Sequence, residues 1–409
     1  MKRILIWMLC ILLLAGCANT DEPPPDSTAP TAAYDWMAGE SPVDSQRTGV
    51  VRQGFTQGNF DVTADGIYFL SKVDYSGDRT YILYMDHGSD ELVKLCGRPD
   101  CDHNNDGCNA CVQNADMLTC YNGCLYTLEN VYGWSKTQLI RMDLDGRNHT
   151  AVLDLSAFAA EEGGKNVSCD RVYDGWMIFG VWGYDMGDKG ESVRLGTYRY
   201  KLDGSQGAPQ RLDTDVIVWG TQNGDLITYY GTPKDPDGLF GIYRWEPEAN
   251  TSQWVMDHPG YPALDIVDGV IFFRDGCVYS QSIEDGAETV LLETDLTEDY
   301  LLVGMAECFM LVSRGIPADG ADRNVYFYTW DYQHLDTVTL DYDQDETVMT
   351  ELLLRGETAE RIYLSKRANE PPTYYIDKSE LGTGKAKLHE IKIADDMAQA
   401  EVFLDPWDE

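Results

Sequence analysis

Basic side chains are scarce in this sequence. Lysine and arginine together number 31, against 69 aspartate and glutamate residues, so the formal net charge is −38. Nucleic acids and anionic lipid headgroups bind surfaces with clustered positive charge. The composition therefore argues against nucleic acid as a partner. We interpret the acidity as a source of solubility and of a surrounding cloud of divalent cations, with a cationic partner as the alternative.

The short motifs of common enzyme classes are also missing. The sequence contains no G-x-S-x-G, no P-loop, no H-E-x-x-H and no G-x-G-x-x-G after a predicted strand. Because acidic residues are so numerous, a carboxylate pair will face any cleft by chance, so such pairs do not indicate a glycosidase. We therefore assign no catalytic residue and favour a protein that is not an enzyme.

Long apolar runs are absent apart from one at the N-terminus. Residues 4–14 are apolar but too short to cross a bilayer as a permanent helix. Lys2 and Arg3 precede this run, and Leu-Ala-Gly-Cys follows at residues 14–17. The arrangement resembles a bacterial lipoprotein signal peptide, which implies cleavage before Cys17 and transfer of a diacylglyceryl group, with palmitate-type acyl chains, to its thiol. An ordinary secretory signal with a chance cysteine is the alternative.

Three segments are predicted. Residues 1–16 are the lipoprotein signal peptide, and residues 17–46 are a lipid-anchored disordered tether and leading segment. The tether is rich in Pro, Ala, Ser, Thr and Asp, and Pro23-Pro24-Pro25 favours an extended chain. Residues 47–409 form the folded body, with a Cys-rich insertion at 96–124. Residues 34–58 are expected to be irregular, with a strand that closes the fold against the C-terminal end as one possibility.

The folded body repeats one unit. Seven apolar strands begin just after a turn, and successive turns are 38 to 57 residues apart. Asp-Gly and Asn-Gly adopt positive φ at low cost, as tight hairpin turns require. The turns are Asp65-Gly66, Asn122-Gly123, Asp174-Gly175, Asn223-Gly224 and Asp268-Gly269, with Ala306-Glu307 and Ala359-Glu360 at the two remaining positions.

This spacing predicts an all-β fold, a β-propeller with seven four-stranded blades, although six or eight blades also fit. A single antiparallel sheet cannot bury both of its apolar faces, whereas blades arranged in a ring cover one another. Little of the sequence indicates helix, apart from a short one at residues 156–163. Two β-sandwiches are the competing fold.

Two segments resemble known propeller strands. QLIRMDLDGRN at residues 138–148 and YRYKLDGS at residues 198–205 are similar to the strand of low-density-lipoprotein-receptor YWTD-type propellers. A large group of bacterial lipoproteins, mostly of unknown function, has a similar propeller domain, and this chain resembles that group. The resemblance implies a binding scaffold and brings no catalytic residues with it.

Six cysteines crowd into one short stretch, together with one histidine. The motif L-C-x-x-P-x-C-x-H-x-x-x-x-C begins this stretch and resembles an insertion of the same lipoproteins. An exported location favours disulfides. Three thiolates and an imidazole, however, also form a donor set for zinc. We expect a structural staple, either disulfide-bonded or zinc-bound, formed among Cys96, Cys101, His103, Cys108, Cys111, Cys120 and Cys124.

Some aromatic residues lie on predicted loops and strand ends, where packing in the core or at the rim is favoured and a ligand-binding face is the alternative: Trp134, Trp182, Tyr184, Tyr229 and Tyr230. We expect a lipoprotein anchored in the bacterial cell membrane on its extracytoplasmic face. Its propeller would bind or sense a peptide, a glycan or an envelope protein. A propeller-type polysaccharide lyase or glycosidase is the alternative.

Substitution Cys17→Ser tests the anchor. Because Cys17 supplies the only thiol that the lipobox presents, C17S should abolish incorporation of labelled palmitate and leave residues 1–16 attached. The matched control is Cys10→Ser, a thiol inside the apolar run, which should keep full labelling. Labelling of C17S, measured on the purified protein, would contradict the assignment.

Overall fold

The computed structural model describes most of the folded body. The described residues are 60–71, 79–103, 107–131, 136–173, 175–184, 192–212, 217–222, 225–231, 240–246, 251–257, 263–266, 269–282, 284–296, 300–305, 307–313, 323–340, 353–365 and 371–393. The predicted signal peptide, its Cys17, the tether and the leading segment up to residue 58 lie outside these ranges. Their assignments therefore stay predictions.

The described strands form seven separate antiparallel sheets of four main strands each, which we call blades 1 to 7. Blade 1 contains β1 (Phe60–Val62), β2 (Gly66–Ser71), β3 (Arg79–Asp86) and β4 (Glu91–Lys94), with β5 (Cys111–Gln113) also on β3. Blade 2 contains β6 (Ala115–Tyr121), β7 (Cys124–Val131), β8 (Lys136–Asp143) and β9 (Thr150–Asp154). Blade 3 contains β10 (Asn166–Tyr173), β11 (Trp176–Tyr184), β12 (Ser192–Lys201) and β13 (Gln210–Arg211).

The next four blades have the same order of strands. Blade 4 contains β14 (Ile217–Gln222), β15 (Asp225–Gly231), β16 (Phe240–Glu246) and β17 (Thr251–Asp257). Blade 5 contains β18 (Ala263–Ile266), β19 (Gly269–Arg274), β20 (Cys277–Ser282) and β21 (Glu288–Glu293). Blade 6 contains β22 (Tyr300–Gly304), β23 (Cys308–Ser313), β24 (Asn324–Thr329) and β25 (His334–Thr339). Blade 7 contains β26 (Leu353–Glu357), β27 (Arg361–Ser365), β28 (Tyr374–Asp377) and β29 (His389–Glu390), and β30 (Lys392–Ile393) follows it.

The first strands of neighbouring blades lie side by side. Contacts join β1 to β6, β6 to β10, β10 to β14, β14 to β18 and β18 to β22, and β26 lies against β1. Seven sheets in this order confirm the predicted seven-bladed propeller and exclude the two β-sandwiches. Of the predicted turns, Asp65-Gly66, Asn122-Gly123 and Ala359-Glu360 are fully described, and each joins the first and second strands of its blade; the other four include residues outside the described ranges.

The hairpin between β6 and β7 shows why the turns are readable from sequence. Asn122 and Gly123 both have positive φ, 49° and 71°, as the two central residues of a type I′ turn require. The register pairs Tyr121 with Cys124 directly across the turn. Local backbone chemistry therefore fixes this hairpin without help from distant residues.

One short α-helix was predicted at residues 156–163 and is found as α1 (Leu155–Glu161). The Asp154 side chain accepts a hydrogen bond from the Ala157 N–H at 3.1 Å and so caps the first turn. Leu155 and Ala159 are buried between blades 2 and 3. A single turn of 3₁₀-helix lies at Lys378–Glu380. Among the described residues, every helix is too short or too polar to span a bilayer.

The ring closes between blade 7 and blade 1, and aromatic rings fill the interior of this seam. The Phe60 ring lies 5.1 Å from that of Phe69 and 5.9 Å from that of Tyr363. At the outer edge, β30 pairs in parallel with β4, with Lys392 opposite Glu91 and Ile393 opposite Leu92. The end of the described chain therefore extends the first sheet.

Polar contacts at the same seam connect the two blades through backbone carbonyls. The Arg361 guanidinium donates to the carbonyl oxygens of Gly88 and Ser89, and it lies 4.0 Å from the centre of the Tyr375 ring. An exposed Lys392–Asp90 ion pair at 3.5 Å contributes little, because water screens it. Aromatic packing and backbone pairing therefore hold the seam together.

Gly356→Ala tests the seam. A Cβ at Gly356 would lie 2.3 Å from Cε1 of the buried Phe60 ring, so the blades must separate or the ring must shift. We expect a loss of about 1–3 kcal/mol in the free energy of unfolding, measured by denaturant titration. Phe60→Leu removes the ring edge that obstructs the new Cβ. The double variant should therefore lose less free energy of unfolding than the sum of the losses in the two single variants. Strictly additive losses would contradict this contact.

Candidate metal centre

The segment between β4 and β5, described at residues 95–103 and 107–110 and called the Cys-rich loop below, interrupts the outer strand of blade 1. Both β4 and β5 pair with β3, one on each side of this loop. The Ile82 N–H donates to the Ala110 carbonyl at 2.8 Å, and the Ile82 carbonyl accepts from the Leu95 N–H at 2.9 Å. The loop therefore leaves and rejoins the sheet at a single residue, which fixes its two ends next to each other.

Four side chains converge inside this loop. The ligand atoms of Cys96, Cys101, His103 and Cys108 all lie within 4.8 Å of one another. Within this group, His103 Nδ1 lies 3.4 Å from Cys108 Sγ. With Zn–S bonds of about 2.3 Å, tetrahedral sulfur ligands lie about 3.8 Å apart. Among the residues that the structure describes, no other group of three or more potential ligands comes this close.

Backbone amides lie near two of the sulfur atoms, those of Cys96 and Cys108. Partial burial opposes ionisation of Cys96, but hydrogen bonds from the amides of Arg98 and Asn109 and from the thiols of Cys108 and Cys101 together outweigh it, so the pKa of this thiol is lowered. Burial has the larger effect at Cys108 and raises its pKa to about 12, against one amide donor from Ala110. These amides favour the thiolate form of Cys96 and Cys108, but only at Cys96 is the pKa lowered despite burial.

Hydrogen bonds also hold the loop backbone in shape. The Tyr81 hydroxyl donates to the His103 carbonyl at 2.8 Å, and His103 has a positive φ of 54°. Arg98 Nη1 donates to the Gly107 carbonyl at 2.7 Å, across the loop. Because these bonds orient backbone on both sides of the cluster, the four ligands are positioned by the fold and not only by one another.

The loop packs against the turn between β8 and β9 of blade 2. Gly146 in this turn has φ +75°, and a Cβ there would lie 2.6 Å from the Asn109 carbonyl oxygen. His149 Nε2 lies 2.8 Å from the Gly146 carbonyl and 3.3 Å from the Asn109 carbonyl. The candidate metal centre therefore lies where the outer part of blade 1 meets blade 2.

The other three cysteines of the predicted staple lie outside the cluster. Cys111 is in β5, Cys120 is near the end of β6, and Cys124 begins β7. None of the nine cysteines that the structure describes forms a disulfide bond. The sequence left disulfide and metal open, and the structure brings together one set of four with the donor types of a zinc site.

Asp61 is a structural residue that the sequence analysis did not identify. It is buried in β1, and its carboxylate accepts hydrogen bonds from the Thr119 hydroxyl at 2.9 Å and from the Cys120 N–H. These bonds join the inner strands of blades 1 and 2. A lone carboxylate in the apolar strand Phe-Asp-Val was the available signal, but its partners are 58 and 59 residues away.

Among the predicted ligand-face residues, Trp182 is the one whose contacts are described. Its indole Nε1 donates to Ser168 Oγ at 2.8 Å, and the Arg194 guanidinium lies 5.2 Å from its ring centre. Arg194 forms an ion pair with Asp170, and both side chains are about 4% exposed. Trp182 is thus held rigidly near the end of β11.

The remaining ligand-face candidates do not form one described site. Tyr184 ends β11 in blade 3, and Tyr229 and Tyr230 lie in β15 of blade 4. Trp134 lies outside the described residues. Their assignment to a binding face stays a prediction.

No known family model matches the sequence, and no curated protein matches it either. Solved structures with a similar fold include TolB from Acinetobacter baumannii, with 12% identity, a TM-score of 0.33, and coverage of 68% of this chain and 63% of TolB. The β-propeller domain of the Trilobed protease from Pyrococcus furiosus has 12% identity and a TM-score of 0.40, over 70% of this chain and 81% of the domain.

An acylaminoacyl peptidase from Pyrococcus horikoshii has 9% identity and a TM-score of 0.45, over 83% of this chain and 52% of the peptidase. The chain thus spans about half the length of that peptidase and less than two thirds of TolB. At these values the similarities concern the fold and say nothing about activity.

Gly146→Ala tests the contact between the loop and blade 2, with Gly88→Ala as its matched control. Both glycines have φ +75°, so each alanine bears the same backbone strain of about 1–2 kcal/mol. Only at Gly146 does the new methyl meet backbone, because nothing lies within 4 Å of a Cβ at Gly88. G146A should therefore lose about 1–3 kcal/mol more than G88A in denaturant titration. Equal losses would contradict the contact.

Proposed function

We infer that this chain is a lipid-anchored extracytoplasmic propeller that binds a peptide, a glycan or an envelope protein through one face of its ring. The observation that supports this inference is the arrangement of seven four-stranded blades. In such a ring the strands form a fixed frame, and the loops between them gather at its two faces. The lipobox at residues 14–17 supports an anchor that places this frame outside the membrane.

Trp182 gives the inference a specific residue. Its ring is half-buried, and Ser168 and Arg194 hold it in place. A rigid aromatic ring loses little conformational freedom on binding and stacks well on sugars and peptide side chains. Arg194 is itself fixed by the buried Asp170, so the whole group is organised before any ligand arrives.

Trp176 provides a matched comparison on the same strand. It begins β11, six residues before Trp182, and so lies toward the opposite end of blade 3. Arg199 and Lys201 lie 4.6 Å and 5.0 Å from its ring. Both tryptophans therefore pack against cationic side chains, but they lie toward different ends of β11. Alanine variants of the two tryptophans therefore distinguish which face of the ring binds the ligand.

The experiment screens the full chain, purified in detergent, on glycan and peptide arrays. The wild type should bind one class of ligand, Trp182→Ala should weaken that binding at least about tenfold, and Trp176→Ala should retain it. Loss of binding in W176A alone would move the site to the other face. The full chain would also be cross-linked to envelope proteins. If it binds nothing on either array and cross-links to no envelope protein, the proposal of a binding scaffold is contradicted. Cleavage of a bound glycan would favour the lyase or glycosidase alternative.

A further inference from the structure

We propose that Cys96, Cys101, His103 and Cys108 bind one zinc ion, and that this ion fastens the outer strand of blade 1, on which β30 closes the ring. The proposal goes beyond ligand binding by the propeller and does not depend on lipid anchoring. It assigns the four ligands of the Cys-rich loop a role in holding the fold closed.

The donor set favours zinc. Three sulfurs and one imidazole nitrogen suit a borderline-soft divalent ion, and their mutual distances of at most 4.8 Å are within reach of a tetrahedral site. Four protein ligands fill the coordination of zinc, so no position is left open for a substrate. The geometry therefore corresponds to a structural zinc site and not to a catalytic one.

The number of thiols argues against a disulfide in this cluster. Any bond between two of Cys96, Cys101 and Cys108 leaves the third thiol and the imidazole of His103 without a covalent role. A bound ion uses all four converging groups at once.

The position of the loop connects the ion to ring closure. The four-residue strand β4 is joined to β3 by only a short ladder, and Cys96 follows two residues after its end. At the other end of β4, Glu91 and Leu92 pair with β30. A strand this short is held only weakly by its hydrogen bonds to β3. A metal ion bound to Cys96 would therefore keep β4 in the register that its pairing with β30 requires.

The first experiment measures bound metal in the full chain, expressed with its own signal segment and purified in detergent. We expect about one zinc ion per chain by elemental analysis. Cys101→Ser should lose the ion. The matched control Cys124→Ser, a partly exposed cysteine of the same stretch outside the cluster, should keep it. Replacement by Co²⁺ should give tetrahedral thiolate absorption in the wild type and in C124S, but not in C101S.

The second experiment measures hydrogen exchange in the wild type before and after the ion is chelated, so that no variant needs to fold. Amides of β4 and β30 should exchange at least about tenfold faster without the ion, with β11 unchanged, and added zinc should restore protection. Three results would each overturn the proposal. The first is a wild-type chain that contains no zinc and whose cluster thiols, after unfolding without reductant, do not react with an alkylating agent, as expected of a disulfide. The second is zinc retained by C101S. The third is hydrogen exchange in β4 and β30 that does not change when the ion is chelated.

Discussion

A four-stranded sheet with two apolar faces cannot be stable alone, and this constraint governs the whole chain. Every residue of β2, Gly66–Ser71, is buried, so both of its faces need a neighbour. Each blade supplies one face to the blade before it and one to the blade after it. The ring must therefore close, and the seam between blades 7 and 1 is the contact on which the others depend.

Blade 1 contributes most to closing the ring. On one side its Phe60 and Phe69 rings meet Tyr363 of blade 7, and on the other its Asp61 binds the inner strand of blade 2. At its outer edge β30 adds a parallel strand, and the Cys-rich loop packs on the Gly146 turn. Closure of the ring and the candidate metal centre thus lie on the same sheet.

Sequence reasoning succeeds here wherever structure is local. Asn122-Gly123 fixes a hairpin through its own positive φ, and Asp154 caps α1 through its own side chain. It does not extend to features that join distant residues, such as the pairing of β30 with β4. Likewise, the sequence places seven potential ligands in one stretch, but the cluster of four depends on the way Ile82 gathers both ends of the loop.

The chain closes its ring by adding β30 to blade 1. Hydrogen exchange of a chain ending at Ile391, compared with one ending at Ile393, tests it most directly because the two differ only in β30. The account predicts faster exchange in β4 of the shorter chain, with the strands of blade 3 equally protected in both. Equal protection of β4 in the two chains would contradict it.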